Sequence, residues 1–155
     1  AATVEQIITN AAESGCQILL PKDAVVAPEL AEGVATGVRP VTDIPDDAMI
    51  LDIGPDTVAE ISARLADCRT ALWNGPLGAF EVAPFGEGTF AVAREVARLT
   101  REGGLTSIAG GGDTVAALNA AGVGQEFSYV STAGGAFLEW LEGRELPGVA
   151  ALKSA

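Results

Sequence analysis

Three times in 155 residues a short apolar run breaks into glycine and is followed by a new element. Thr70-Ala71-Leu72-Trp73 leads into Asn74-Gly75-Pro76-Leu77-Gly78. Thr106-Ser107-Ile108-Ala109 leads into Gly110-Gly111-Gly112-Asp113-Thr114. Phe127-Ser128-Tyr129-Val130 leads into Ser131-Thr132-Ala133-Gly134-Gly135-Ala136. A short apolar run bounded by turn residues reads as a buried strand, and helical patterns follow the last two turns directly. The connections are too long for hairpins, so the alternation predicts an α/β fold with a mostly parallel, Rossmann-like sheet and helices on both faces. Ligands of such sheets bind beyond the carboxyl ends of the strands, where all three turns lie. Glycine there allows positive φ and close backbone approach, and a helix start offers converging N–H groups and a favourable dipole. Several such turns on one edge predict one phosphate-bearing ligand.

The composition narrows the chemistry. A hydrophobic fraction of 48% suffices for a core in one domain or one piece of a larger one. No apolar run approaches the ~20 residues needed to span a bilayer, and no basic, apolar-cored signal segment opens the chain, so no membrane association is expected. The net charge of −12 argues against nucleic acid as a partner, because neutralising phosphates requires a basic face. Lys22 and Lys153 are the two lysines. A site for an anionic substrate must therefore draw most of its positive groups from outside this chain. Cys16 and Cys68 lack paired spacing and read as small core residues in a reducing cytoplasm. With no histidine, Ser-His-Asp and Cys-His catalysis and histidine-ligated zinc are excluded.

Along the chain, Thr3-Val4-Glu5-Gln6 resembles a capping box with Thr3 at the N-cap. Val4, Ile7, Ile8 and Ala11 then follow the helical period until Gly15. Gln17-Ile18-Leu19-Leu20 reads as a buried strand stopped by Pro21. Val25-Val26-Ala27 and residues 37–41 read as extended pieces, with a turn at Pro45-Asp46-Asp47. Pro55 suits the first turn of a helix carrying Val58, Ile61, Leu65 and Ala66 on one face. Strands are expected at 70–73, 106–109 and 127–131, and helices over 89–100, 115–121 and 137–143, before a tail at 146–149. Phe90, Ala93, Val96, Ala97 and Thr100 form a buried stripe. No composition break marks a second domain within the chain.

General nucleotide motifs fail: Val115 stands where G-x-G-x-x-G needs a small residue, and no Gly-Lys-Ser/Thr exists. Gly110-Gly111-Gly112-Asp113-Thr114 suits phosphate oxygens and a Mg²⁺ held through Asp113. The bland alternative makes Asp113 or Thr114 an ordinary N-cap. Glu81 reads either as an acceptor for ribose hydroxyls or as a solvated loop acid. Gly134-Gly135-Ala136 reads either as an N–H cradle for developing charge or as helix-start packing. Trp73 and Trp140 read as core residues in preference to ligand stackers.

Longer strings carry a specific resemblance. Trp73-Asn74-Gly75-Pro76-Leu77-Gly78-Ala79-Phe80-Glu81, Gly110–Thr114 and Ser131–Ala136 closely resemble signatures of phosphoglycerate kinase. Leu138-Glu139-Trp140-Leu141-Glu142-Gly143 and Leu146-Pro147-Gly148-Val149 follow in the family's order. Leu19-Leu20-Pro21-Lys22-Asp23 and Leu51-Asp52-Ile53-Gly54-Pro55 match upstream, so the resemblance covers essentially the whole chain.

The resemblance implies reversible phosphoryl transfer between ATP and 3-phosphoglycerate, giving 1,3-bisphosphoglycerate and ADP, with Mg²⁺. It implies a cytoplasmic, monomeric, two-lobed kinase of which residues 1–155 are the later part of the C-terminal, nucleotide-binding lobe. The triose-binding N-terminal lobe and the first strands of this lobe then lie outside the chain. By motif match, Glu81 binds ribose hydroxyls and Asn74 and Pro76 wall the nucleotide cleft. Gly111, Gly112, Asp113 and Thr114 bind phosphates, Asp113 also binds the metal, and Gly134 and Gly135 stabilise the transferring group. Three positions depart from the family pattern: Ala133 replaces the first of three glycines, Phe137 a small hydroxyl residue, and Ile50 a glycine near the nucleotide. All three read as tolerated variants. With the strand order 3-2-1-4-5-6, the segment at 17–20 is strand 3 and the later strands are 4, 5 and 6. Strands 1 and 2 are then missing, and the isolated chain is expected to fold poorly and not to catalyse. The competing expectation is a non-catalytic nucleotide-binding or assembly fragment.

Overall fold

A computed structural model describes residues 2–131 and 133–153, and Phe137, Trp140, Leu141 and Lys153 without their side chains. Strands β4 (Thr70–Asn74), β5 (Thr106–Gly110) and β6 (Tyr129–Ser131) form a parallel sheet in the order β4-β5-β6. Its ladders pair Asn74 with Gly110 and Gly110 with Ser131. This register brings the ends of all three strands into one row, so the three glycine turns leave the sheet side by side. Helices α3 (Glu87–Arg101), α4 (Gly112–Ala120) and α5 (Gly134–Leu141) follow the three strands in turn, and α2 (Pro55–Ala66) precedes β4.

The core forms where the helical stripes meet this sheet. Val92, Ala93, Val96 and Ala97 of α3 pack with Ala109 of β5, Leu118 of α4 and Phe127. Phe90 and Thr100 flank the buried stripe and are half-buried, as the 3.6-residue period requires. Val58, Ile61 and Leu65 of α2 close the cluster from the side. Burying each large side chain stabilises by about 1.5–3 kcal/mol.

The first third of the chain departs from expectation. Strands β1 (Asp23–Ala27), β2 (Gly37–Pro40) and β3 (Met49–Ile53) form a second, antiparallel sheet in the order β2-β1-β3. The parallel architecture thus holds only for the second half. Gln17–Leu20 is not a strand, and Ile18, Leu19 and Leu20 are 45%, 40% and 74% exposed. No described strand lies beside them, so their backbone has no ladder to join. Helix α1 (Ala2–Ser14) forms with Thr3 inside it and not at an N-cap, and none of its residues is buried. Its apolar stripe is real, but nothing described covers Val4, Ile7 and Ile8.

Both cysteines are exposed, which corrects their reading as core residues. Cys16 follows the uncovered α1, and Cys68 lies just past the C-cap of α2, where its thiol reaches the Arg64 carbonyl at 3.3 Å. The expected tail at 146–149 instead leads into helix α6 (Pro147–Lys153). Leu146 and Val149 line a cavity with Ile108, Tyr129 and Ala136, against the parallel sheet.

Candidate functional site

The second glycine turn is the centre of the site. Gly111 is the N-cap of α4, at φ +103°, a conformation that strains any residue with a Cβ. No side chain caps this helix, so Asp113 and Thr114 stand in its first turn and neither is the cap. By helix geometry, the N–H groups of that turn have no intrahelical acceptor and point out of the helix start. Asp113 is exposed beside them.

The neighbouring turns are fastened to this one. Thr114, 1% exposed, accepts the Gly75 N–H at 2.7 Å and ties the first turn to the second. A Cβ on Gly111 would lie 3.3 Å from Asn74 Oδ1, so the Asn74 amide borders the nest. Gly111 donates its N–H to the Ser131 carbonyl at 3.0 Å, which ties in the third turn. Gly134 is packed so tightly that a Cβ on it would lie 2.5 Å from both Cα and N of Gly111. The amino ends of α4 and α5 therefore abut, and their dipoles add at one place. Gly112 and Gly135 have open space around them. Ser131 Oγ accepts the Ala133 N–H at 3.1 Å and shapes the approach to α5. Thr132 and the side chains of Phe137 and Trp140 lie outside the described residues.

Pro76 is half-buried and Glu81 exposed in the irregular stretch between β4 and α3. Their side chains show no bond that joins them to the glycine nest. Trp73 is half-buried, its ring 6.3 Å from that of Phe127, and its indole N–H donates to the Gly75 carbonyl at 2.5 Å. It is a packing residue at the site's edge, as expected. Ile50 stands exposed on β3, paired with Val26.

Sequence reasoning overlooked two buried carboxylates. Asp23 accepts bonds from the Thr57 N–H (2.8 Å) and hydroxyl (2.6 Å) and the Asp56 N–H (3.1 Å), and so anchors the start of α2. Burial works to raise its carboxyl, but the Thr57 hydroxyl and the N–H groups prevail and hold it below the usual range. Asp52, 2% exposed, accepts the Ile53 and Gly88 N–H groups at 2.8 Å each. Burial pushes it up to about 6, against those bonds and with help from the Glu87 charge. One signal was available: Asp52 is a lone acid inside Ile50-Leu51-Asp52-Ile53.

The sequence model of phosphoglycerate kinase matches residues 1–144. The chain belongs to the phosphoglycerate kinase family. It is 58% identical over 154 residues to phosphoglycerate kinase of Methylorubrum extorquens (strain PA1), covering 99% of this chain and 38% of that protein. It is 56% identical to that of Agrobacterium fabrum, covering 100% of this chain and 39% of the relative. The solved phosphoglycerate kinase of Coxiella burnetii superposes with a TM-score of 0.89 at 42% identity, over 99% of this chain and 38% of the other. That of Pyrococcus horikoshii superposes at 0.71 and 28% identity, over 86% and 32%. The chain thus spans less than two-fifths of the length of these phosphoglycerate kinases.

A metal implied by the phosphoglycerate kinase family fits this site in one way only. Among the described residues, no three acidic or thiol side chains gather into a ligand cage. Asp113 alone is exposed at the start of α4, which suits a Mg²⁺ carried mainly on nucleotide phosphates and water.

Proposed function

We propose that this chain is the nucleotide-binding part of a kinase that moves a phosphoryl group reversibly between ATP and 3-phosphoglycerate, giving 1,3-bisphosphoglycerate and ADP. The observation that carries this reading is the junction of two helix amino ends at Gly111 and Gly134, with family membership supplying the substrate class. A polyphosphate chain laid across Gly111, Gly112 and Thr114 meets the N–H groups of the first turn of α4, while Gly111, whose own N–H stays on the Ser131 carbonyl, admits the chain by its lack of a side chain. Asp113 holds the Mg²⁺ that neutralises phosphate charge when bound. Gly134 and Gly135 present the N–H groups at the start of α5 to the oxygens of the transferring group. Asn74 and Pro76 wall the cleft, and Glu81 accepts from the ribose hydroxyls.

Transfer of this kind depends on positioning and charge stabilisation, so a chain without histidine is adequate. A net charge of −12 makes the chain a poor binder of 3-phosphoglycerate by itself. Residues beyond this chain bind the triose, the complete enzyme is a cytoplasmic monomer, and the piece alone binds nucleotide without turning over. A coupled assay on the full-length protein is expected to show Mg-ATP-dependent phosphorylation of 3-phosphoglycerate. A well-folded full-length sample with no turnover would sink the reading.

A further inference from the structure

The stretch from Gly75 to Gly86 carries Pro76 and Glu81 but contains no helix or strand. Its shape is set from outside. Thr89, in the first turns of α3 and fully buried, accepts N–H bonds from Leu77 (3.0 Å) and Gly78 (3.2 Å). Asp52 on β3 accepts the Gly88 N–H at 2.8 Å. The Ala79 N–H reaches the Leu51 carbonyl at 2.8 Å, and Phe85, with no exposed surface, packs with Ala27 and Leu51. The fit leaves no slack. A Cβ on Gly78 would overlap the Asp52 carboxylate, and one on Gly88 would lie 2.7 Å from Asp52 Oδ1.

A buried hydroxyl and a buried carboxylate are costly ways to fill space, since apolar side chains of the same size would do so without desolvation. What they add is a single set of acceptors for irregular backbone. Without Thr89, two N–H groups of the segment lose their partner, and the turn that begins at Pro76 loses its fixed shape. The Asp52 and Thr89 contacts do not themselves reach the glycine nest, to which the segment is fastened separately at its first residue by the Gly75 N–H on Thr114, so their direct effect falls on the stretch that carries Pro76 and Glu81.

We propose that Asp52 and Thr89 are positioning residues that hold the 75–88 segment in the conformation in which Pro76 and Glu81 meet the nucleotide. This rests on the nucleotide-binding reading above. It assigns a role to two side chains that contact no substrate and act only through the backbone they bind.

The test uses the full-length kinase, with ADP affinity measured by calorimetric titration alongside steady-state kinetics. Thr89→Val is nearly isosteric and removes the acceptor, whereas Thr89→Ser keeps it. Thr89→Val is expected to weaken ADP binding and raise the KM for ATP about tenfold, leaving the KM for 3-phosphoglycerate unchanged. Thr89→Ser is expected to stay within about twofold of the unsubstituted protein. In a Glu81→Ala background, Thr89→Val should cost clearly less than the full tenfold, because one of the two contacts it positions is already gone. Unchanged ADP affinity in Thr89→Val, or the full tenfold loss repeated in the Glu81→Ala background, overturns the proposal. If Thr89→Val does not fold, Asp52→Asn, which keeps one acceptor oxygen, takes its place in the same cycle. An unsubstituted protein that binds no ADP removes the nucleotide reading itself; one that binds ADP while Thr89→Val matches it removes only the positioning role.

Discussion

Asp52 gives the stability of this molecule a pH dependence opposite to that of most acids. Its carboxyl titrates near 6 in the fold, against a usual 3.8. Between those values the native chain keeps a proton that the unfolded chain has lost, so stability falls as pH rises from about 4 to about 6. The gap corresponds to about 2–3 kcal/mol. Asp52→Asn should remove this fall: urea midpoints measured from pH 4 to pH 7 are expected to decline in the unsubstituted full-length protein and to stay flatter in the variant. Parallel profiles would show that the carboxyl does not titrate there. Asp23 works the other way. Its lowered carboxyl stabilises above the ordinary carboxylate range, and that contribution is lost as pH falls through its folded value. Asp113 and Asp67 offer a functional contrast between two exposed aspartates, one in the first turn of α4 and the other at the C-cap of α2. In the full-length enzyme, Asp113→Ala is expected to lower kcat/KM about a hundredfold or more and Asp67→Ala less than about twofold. Equal activities would make the Gly-Gly-Gly-Asp turn purely structural.

At the scale of elements, the abutting starts of α4 and α5 are the least forgiving junction. Gly134→Ala places a methyl 2.5 Å from the Gly111 backbone, whereas Gly135→Ala meets nothing within 4 Å. Thermal melts of the full-length variants should therefore separate: Gly134→Ala is expected to lose about 1–3 kcal/mol and Gly135→Ala less than about 0.5. If both melt like the unsubstituted protein, the two helix ends are not in contact. These elements were legible in sequence because their signals are local. Four-residue apolar runs, glycine turns and the stripe Phe90-Ala93-Val96-Ala97 state their own period and boundaries. The elements misread were those whose fate depends on a neighbour. Gln17–Leu20 has the composition of a buried strand but no adjacent strand among the described residues. Strand β3 was hidden because Asp52 interrupts its apolar run, and only the fold reveals the Gly88 N–H that its carboxylate accepts. In the site, the glycine nest was readable from spacing. The fastening of Gly75 by Thr114, and of Leu77 and Gly78 by Thr89, was not, because a buried threonine on a helix looks like any other small residue.

For the molecule as a whole, β4 is one of the two edge strands of the parallel sheet, and no strand among the described residues pairs with its outer side. Beside it lies an apolar cavity of about 260 Å³ bordered by Ile61, Leu65, Leu72, Trp73, Val92 and Val96. An open, apolar sheet margin invites association. Residues 1–155 prepared alone are expected to unfold over a broad, concentration-dependent transition and to bind ATP weakly. A monomeric preparation with a sharp melt and tight ATP binding would contradict this. Trp73 makes such comparisons simple to follow. Its indole N–H is tethered to the carbonyl of Gly75, inside the first glycine turn. The fluorescence of an indole responds to the polarity and hydrogen bonding at its ring, so any ligand that shifts that turn changes the colour and brightness of the protein's own emission. With Trp140, the other tryptophan of the chain, replaced by Phe, that light comes from Trp73 alone. Trp73 is thus a natural optical probe on the rim of the first glycine turn, and the arrival of the proposed nucleotide is expected to be timeable in a stopped-flow mixer without attaching a dye.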